Sequence, residues 1–181
     1  MTLFVIRHAE TKENAEKTFQ GLFPGTLNET GKQQAKEMGQ KLSLKQIDCI
    51  YCSPIGRCQK TLEIIKPFLN PNIPIYFSAL IQERDFGKFT GKKYDEVDFT
   101  KLDLNTPENQ SLKIESLDNV RLRIKQFLKE IKQKHSNQNI LIISHNNAIR
   151  MILSELLDKT YQEILTKYEV SNTSINELEL K

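Results

Sequence analysis

Four short runs of apolar residues mark the strands of a buried sheet. They occupy residues 3–6, 47–51, 73–77 and 140–143, and β-branched or aromatic side chains are frequent in them. Short runs with few polar positions are typical of parallel strands that are buried on both faces. Residues 174–180 alternate weakly between polar and apolar side chains, which predicts a further strand at the edge of the sheet.

Apolar residues at helical spacing predict four helices between these strands. The first follows Thr30, the second follows Pro54, the third follows Ser116, and the fourth covers residues 149–157. Thr30 and Ser116 stand where N-cap residues are preferred, and we interpret each apolar stripe as core packing. Strands alternating with helices predict the α/β class: a three-layer α/β/α fold around a mainly parallel sheet, with one edge strand that could be antiparallel.

Two long polar segments interrupt this alternation. Residues 12–29 join the first strand to the first helix, and residues 82–115 separate the third strand from the third helix. Connections of this length inside a compact domain are usually functional or disordered. Because the chain shows no repeat and no linker, we predict one domain over residues 1–181, with these two segments covering its site.

Composition excludes several classes of protein. The chain has 26 Lys and Arg against 23 Asp and Glu, a net charge of +3, which is too small and too mixed for a nucleic-acid-binding surface. No apolar run approaches the roughly 18 residues that cross a bilayer, so we expect neither a membrane span nor a signal peptide. These features predict a cytoplasmic protein with no nucleic-acid or membrane partner, and they do not indicate its oligomeric state.

The three cysteines lie close together, at Cys49, Cys52 and Cys58. An odd number makes a disulfide framework implausible. Cys49 and Cys52 form a C-x-x-C motif, but a structural zinc site needs a second pair at suitable spacing, and none follows. We interpret the cysteines as small buried residues near the end of a strand, with a metal or redox role as the alternative.

Two histidines follow directly on two predicted strands. Arg7 and His8 follow residues 3–6, and His145 comes after residues 140–143. Carboxyl ends of parallel strands share one edge of a sheet, so the imidazoles should face each other if the strands are neighbours. Arg57 belongs at the same edge, near a helix start that favours an anion. Two arginines and two histidines together predict a site for a phosphoryl group.

A metal site on the two histidines is the alternative interpretation. A hard metal ion would need a carboxylate cluster, and the two guanidiniums would repel a divalent cation. We therefore expect no metal. The third histidine, His135, lies among lysines at the end of a predicted helix, where we expect a structural or incidental role.

Four motifs resemble those of the histidine phosphatase superfamily, the phosphoglycerate mutase-like proteins. The first is Arg-His-Ala-Glu-Thr at residues 7–11, followed by Asn14 and by Gln20-Gly21. The other three are Cys-Ser-Pro-Ile-Gly-Arg at residues 52–57, the segment around Glu83, and Ser-His at residues 144–145. Their order and spacing are specific over nearly the whole chain, and the resemblance implies the phosphoglycerate mutase-like fold.

The resemblance also implies a chemical role for each residue. His8 would be the nucleophile that becomes a phosphohistidine, which suits a neutral imidazole near neutral pH. Arg7, Arg57 and His145 would hold the phosphoryl oxygens, so that no cofactor is required. Glu83 would protonate the leaving oxygen and afterwards activate water.

Four further positions are implied to bind substrate: Asn14, Gln20, Gly21 and Asn146. The last of these departs from the family pattern, because Asn146-Asn147 replace a glycine-containing pair. Asn146 would therefore supply either a backbone N–H or its side-chain amide.

The family contains both phosphatases and mutases. Mutases generally carry longer insertions that exclude water, whereas residues 12–29 and 82–115 are the cover available here, so we predict a phosphatase acting on a small phosphomonoester. The alternatives are a cofactor-dependent phosphoglycerate mutase and a non-catalytic phosphate-binding module. A module would have no use for both a nucleophile and an acid, and which phosphomonoester is cleaved stays open.

Overall fold

A mixed five-stranded sheet forms the centre of the computed structural model, which describes residues 1–98 and 110–180. The spatial order is β3-β2-β4-β1-β5, with β5 antiparallel to β1 and the other neighbours parallel. The predicted strands are confirmed, including the antiparallel edge strand. Their bounds are β1 Thr2–Arg7, β2 Cys49–Cys52, β3 Ile75–Phe77, β4 Asn139–Ser144 and β5 Ile175–Glu179.

Helices cover both faces of the sheet. The α-helices of the described residues are α1 Lys12–Ala15, α2 Glu29–Leu42, α3 Gly56–Ile65, α4 Leu117–Lys134, α5 Asn146–Leu157 and α6 Tyr161–Lys167. Short 3₁₀ turns lie at Lys66–Phe68, Ala79–Ile81, Gly87–Phe89 and Tyr94–Glu96.

Alternate residues of each central strand pack into two separate cores. In β1, Leu3 and Val5 belong to the core under α4 and α5, whereas Phe4 and Ile6 belong to the core under α2 and α3. Successive strand side chains point to opposite faces, so a strand that is buried throughout must be apolar throughout. The three-layer α/β/α prediction is therefore confirmed.

One predicted N-cap is wrong. Helix α2 begins two residues before the position that Thr30 would cap, and its N-cap is Asn28, whose side chain accepts a hydrogen bond from Gly31 N at 2.7 Å. Asn28 is as good a cap as Thr30, and its side-chain amide also donates to Glu10 at 2.7 Å, which decides between the two. The predicted cap of α4 is confirmed, since Ser116 accepts from Asn119 N.

The three cysteines are free and buried, as predicted for small core residues. Cys49 and Cys52 lie three positions apart on β2 and so enter different cores on opposite faces of the sheet. They cannot form a disulfide or share a metal ion in this fold. Burial raises the pKa of Cys49 to about 11 and that of Cys58 to about 12, which keeps both thiols protonated.

His135 ends α4 and joins it to the sheet. Its Nε2 lies 2.8 Å from the Tyr51 hydroxyl, and its Nδ1 lies 2.6 Å from the side-chain oxygen of Gln138. Both ring nitrogens are therefore satisfied by structural contacts, in agreement with the sequence interpretation.

The two long segments meet at the carboxyl edge of the sheet. The ring of Phe19, from residues 12–29, contacts the rings of Phe86 and Tyr94 with centroid separations of 4.8 and 4.6 Å. A β-bridge joins Thr18 to Lys93. Residues 99–109 of the second segment lie outside the described residues, so the predicted cover is tested only in part. Within residues 1–98 and 110–180, no helix has the length and apolarity that a membrane crossing requires.

Candidate active site

The pairing of β1 with β4 brings the two sequence-predicted histidines together. Arg7 lies opposite Ser144 in the parallel register, and His8 continues the ladder by donating its backbone N–H to Ser144 O at 3.0 Å. His145 follows on β4, and its ring centroid lies 5.3 Å from that of His8. The side chain of Asn172 holds His8 from the other direction, donating to its carbonyl at 2.8 Å.

The hydrogen bonds of His8 define its tautomer. Nδ1 lies 2.8 Å from the carbonyl of Ala9, which can only accept, so Nδ1 carries the proton. Nε2 then has a lone pair, and it accepts from Arg57 Nε at 3.1 Å. Burial, followed by the charges of Arg57 and Arg7, lowers the pKa of His8 well below its ordinary value. The imidazole is therefore neutral and has a nucleophilic nitrogen.

Arg57 joins His8 to the loop that covers it. It lies in the first turn of α3 and is 1% exposed. Besides its bond to His8, its terminal nitrogens donate to Phe23 O and Gly21 O at 2.5 and 3.0 Å. Gly21 adopts φ +50°, and a Cβ there would lie 3.0 Å from Thr90 Oγ1. This conformation suits glycine and presents the carbonyl to Arg57.

Arg7 has a buried donor with no partner. Its Nη1 donates to Val170 O at 2.8 Å, whereas its Nε is buried without a hydrogen bond among the described residues. An unsatisfied buried donor destabilises the folded protein unless something satisfies it. Arg7 also lines the cavity, so an anion bound there would lie beside this guanidinium.

Glu83 is held by backbone N–H groups. Its Oε1 accepts from Arg84 N at 2.8 Å and from Asn147 N, in the first turn of α5, at 3.2 Å. The segment that carries Glu83 is held by Arg123. This guanidinium donates to the Glu115 carboxylate in a bidentate arrangement and to the carbonyls of Leu80 and Gln82. The carboxylate is therefore placed by two helices.

These residues surround a cavity of about 350 Å³, near the lower end of the range of roughly 300–1,000 Å³ for small-molecule sites. Its charged lining is three arginines, Arg7, Arg57 and Arg84, with the carboxylate of Glu83. The other sequence-predicted residues on its surface are His8, Asn14, Gln20, Gly21 and Asn146.

His145 alone of the predicted site residues lies beneath the cavity. It is 0% exposed, and its Nε2 lies 2.8 Å from Ser53 Oγ and 3.4 Å from Cys58 Sγ. Burial, followed by the charge of Arg57, lowers the pKa of His145 well below its ordinary value. Both imidazoles of the site are therefore neutral.

Sequence reasoning missed several residues of the cavity. Arg84, Tyr161 and Leu165 line it, and Asn147, identified from sequence only as a departure from a glycine pair, lines it beside Asn146. Arg84 follows Glu83 directly, which was a usable signal. Tyr161 and Leu165 lie on α6, whose position comes from tertiary packing, and no local pattern marks them.

Comparison with known proteins agrees with this geometry. The family model of the histidine phosphatase superfamily, branch 1, matches residues 3–181. The chain is 31% identical to a probable phosphatase from Schizosaccharomyces pombe, covering 99% of this chain and 87% of that protein. It is 35% identical to phosphoserine phosphatase 1 from Hydrogenobacter thermophilus, covering 86% and 75%.

A solved structure has the same fold over more than nine-tenths of both chains. The structure of YhfR from Bacillus stearothermophilus superposes with a TM-score of 0.84 at 26% identity, and the alignment covers 99% of this chain and 91% of that one. With a family model that spans almost the entire sequence, the chain belongs to branch 1 of the histidine phosphatase superfamily.

Proposed function

We propose that this protein is a phosphatase that hydrolyses a small phosphomonoester through a phosphohistidine on His8. The observation that carries the proposal is the neutral imidazole of His8, whose unprotonated Nε2 lies beside Arg57 at a cavity lined by three arginines. Family membership and the phosphatase names of two relatives support the hydrolytic activity.

In the first step, His8 Nε2 forms a bond to phosphorus as the bond from phosphorus to the leaving oxygen breaks. Arg57 Nε must give up its bond to Nε2, and a phosphoryl oxygen is the acceptor that replaces it. The guanidinium of Arg7, which also lines the cavity, supplies a second positive charge. The positive charges of these two guanidiniums stabilise the phosphoryl group without a metal ion.

Glu83 serves as acid and then as base. Its carboxylic acid protonates the departing oxygen, and the resulting carboxylate takes a proton from water as that water attacks the phosphohistidine. The phosphorus–nitrogen bond breaks, phosphate leaves, and His8 returns to its neutral form. The two N–H groups on Glu83 Oε1 orient the carboxyl group for both steps.

The resemblance implies that His145 holds phosphoryl oxygens, but His145 lies beneath the cavity, so we assign it a supporting place behind His8. Its neutral ring lies beside His8 and is held by Ser53. The contacts of Asn14, Gln20, Gly21 and Asn146 with substrate belong to the same proposal, supported by their place in the cavity lining. The rings of Phe19, Phe86 and Tyr94 pack on one another and line the cavity, so they can contact a leaving group.

The most informative experiment is phosphate release from a panel of phosphomonoesters with a chelator present, beside an assay of phosphoglycerate isomerisation. We expect hydrolysis at the same rate with and without the chelator, and loss of activity by about 10³-fold or more in His8→Ala. His135→Gln is the matched control, because His135 lies outside the cavity.

Three outcomes would contradict the proposal. Isomerisation faster than hydrolysis would indicate the mutase. Parent-like turnover by His8→Ala would reject the covalent mechanism. Binding of phosphorylated ligands through Arg7 and Arg57 without any turnover would indicate the non-catalytic module. A cytoplasmic location stays a prediction from the sequence.

A further inference from the structure

Two consecutive asparagines open α5 at the surface of the cavity, and each has its side-chain oxygen engaged. Asn146 Oδ1 accepts from Arg150 Nε at 2.7 Å, and Asn147 Oδ1 accepts from the Tyr161 hydroxyl at 2.6 Å. At Asn146 the direction is fixed, because a guanidinium cannot accept; at Asn147 the Tyr161 hydroxyl, which burial keeps protonated by raising its pKa to about 12, is assigned as the donor.

These bonds determine which way the amides point. A primary amide carries its acceptor and its donor on opposite branches, so an engaged oxygen leaves the NH₂ group directed elsewhere. Neither Nδ2 has a hydrogen-bond partner in residues 1–98 and 110–180, and both residues line the cavity. Two residues of the cavity lining therefore carry a neutral amide donor that no described residue engages.

Both anchoring residues depend on the same short helix. Tyr161 is the first residue of α6, and Arg150 Nη1 donates to Ile164 O and Tyr168 O at 3.2 and 3.0 Å, near the end of that helix. The contacts that dock α6 on α5 therefore also orient the two amides.

We propose that Arg150 and Tyr161 are positioning residues that hold the amide groups of Asn146 and Asn147 with their N–H bonds toward the oxygens of the bound phosphoryl group. The proposal rests on the proposed function of this cavity as a phosphate site. It gives the asparagine pair a purpose that the usual glycines cannot serve, since a glycine offers a backbone N–H but no side-chain donor. It also adds Asn147 to the substrate-binding residues.

Affinity for inorganic phosphate, measured by calorimetry, tests the proposal without requiring turnover. Tyr161→Phe removes only the anchoring hydroxyl, and we expect the dissociation constant to rise roughly 3- to 10-fold, as for the loss of one hydrogen bond. Asn147→Ala should cause a similar rise. If Tyr161 acts through Asn147, adding Tyr161→Phe to Asn147→Ala should raise the constant less than 2-fold further.

The same comparison of single and double variants applies to Arg150→Met and Asn146→Ala. Arg150→Lys should bind phosphate more tightly than Arg150→Met and less tightly than the parent. Tyr168→Phe is the matched control, because Tyr168 contacts Arg150 only through its backbone carbonyl and should bind phosphate like the parent. The kcat and KM of each variant are measured as well, and a positioning role predicts that KM rises more than kcat falls.

Thermal unfolding identifies any variant that loses its fold, and the isosteric Tyr161→Phe keeps the test available in that case. Two results would overturn the proposal while leaving the proposed function intact. One is that the losses of phosphate affinity simply add in both pairs of variants. The other is unchanged phosphate affinity in Tyr161→Phe and Arg150→Met. A parent protein that does not bind phosphate would overturn both the proposal and the proposed function.

Discussion

At the scale of single residues, the site depends on neutral imidazoles kept among positive charges. His8 and His145 are both buried, and burial together with the Arg57 charge lowers the pKa of each well below its ordinary value. Neutrality gives His8 its nucleophilic lone pair. It also makes the stability of the folded protein depend on pH.

The sign of that dependence follows from proton uptake. Below pH ~6.5 the unfolded chain protonates these imidazoles while the folded protein does not. Stability from this source is therefore complete above that pH, and it is lost as the pH falls toward the lowered folded-state values. Each histidine contributes a slope of up to about 1.4 kcal/mol per pH unit.

Urea unfolding between pH 7.5 and 5.5, in buffer without phosphate, measures this slope. His8→Asn removes one buried imidazole. The slope of unfolding free energy against pH should therefore be smaller than in the parent, by up to the contribution of one proton. Equal slopes for the two proteins would show that His8 is not held neutral in the folded state.

At the scale of elements, α4 positions Glu83, the proposed acid, through Arg123. The guanidinium is bonded to Glu115, to the carbonyl of Leu80 within the 3₁₀ turn Ala79–Ile81, and to the carbonyl of Gln82, which directly precedes Glu83. Arg123→Met should lower kcat about 10-fold or more with a smaller change in KM, because the carboxyl group loses its placement. Breaking this mostly buried ion pair should also lower the free energy of unfolding by about 3 kcal/mol.

Steady-state kinetics and urea unfolding check both effects. Lys129→Met removes the same charge from an exposed position of the same helix and should leave kcat unchanged. Arg123→Lys retains the charge without the bidentate geometry and should fall between the parent and Arg123→Met. A parent-like kcat in Arg123→Met would show that Glu83 is placed without α4.

The elements also show where sequence reasoning succeeds. Apolar runs identified β1, β2, β3 and β4, and weak alternation identified the edge strand β5; the signal is strongest in the central strands, because a strand buried on both faces must be apolar throughout. The start of α2 was wrong because Asn28 and Thr30 are both good caps, and the choice depends on the distant contact between Asn28 and Glu10. Strand β3 begins at Ile75 rather than at residue 73, since pairing with β2 starts there.

The same limit applies within the site. His8, Arg57 and Glu83 lie in local motifs and could be named from the sequence. Arg150 and Tyr161 could not, because their importance comes from bonds between α5 and α6 that no local pattern encodes.

At the scale of the whole molecule, the parallel sheet assembles the site from residues far apart in the chain. Arg7 ends β1 and His8 follows it, Arg57 lies in α3 after β2, and His145 follows β4, all at one edge because these strands are parallel. The net charge of +3 spreads over the surface, whereas the three arginines of the cavity concentrate charge where a phosphoryl group would bind.

The central claim is covalent transfer to His8, and trapping the intermediate tests it most directly. The protein is mixed with a phosphomonoester that it cleaves, quenched in alkali and analysed by peptide mass spectrometry. We expect one phosphoryl group per chain on His8, stable to alkali and labile to acid as a phosphorus–nitrogen bond is, and absent from His8→Ala. A hydrolysing enzyme without this label, or with the label on another residue, would contradict the mechanism.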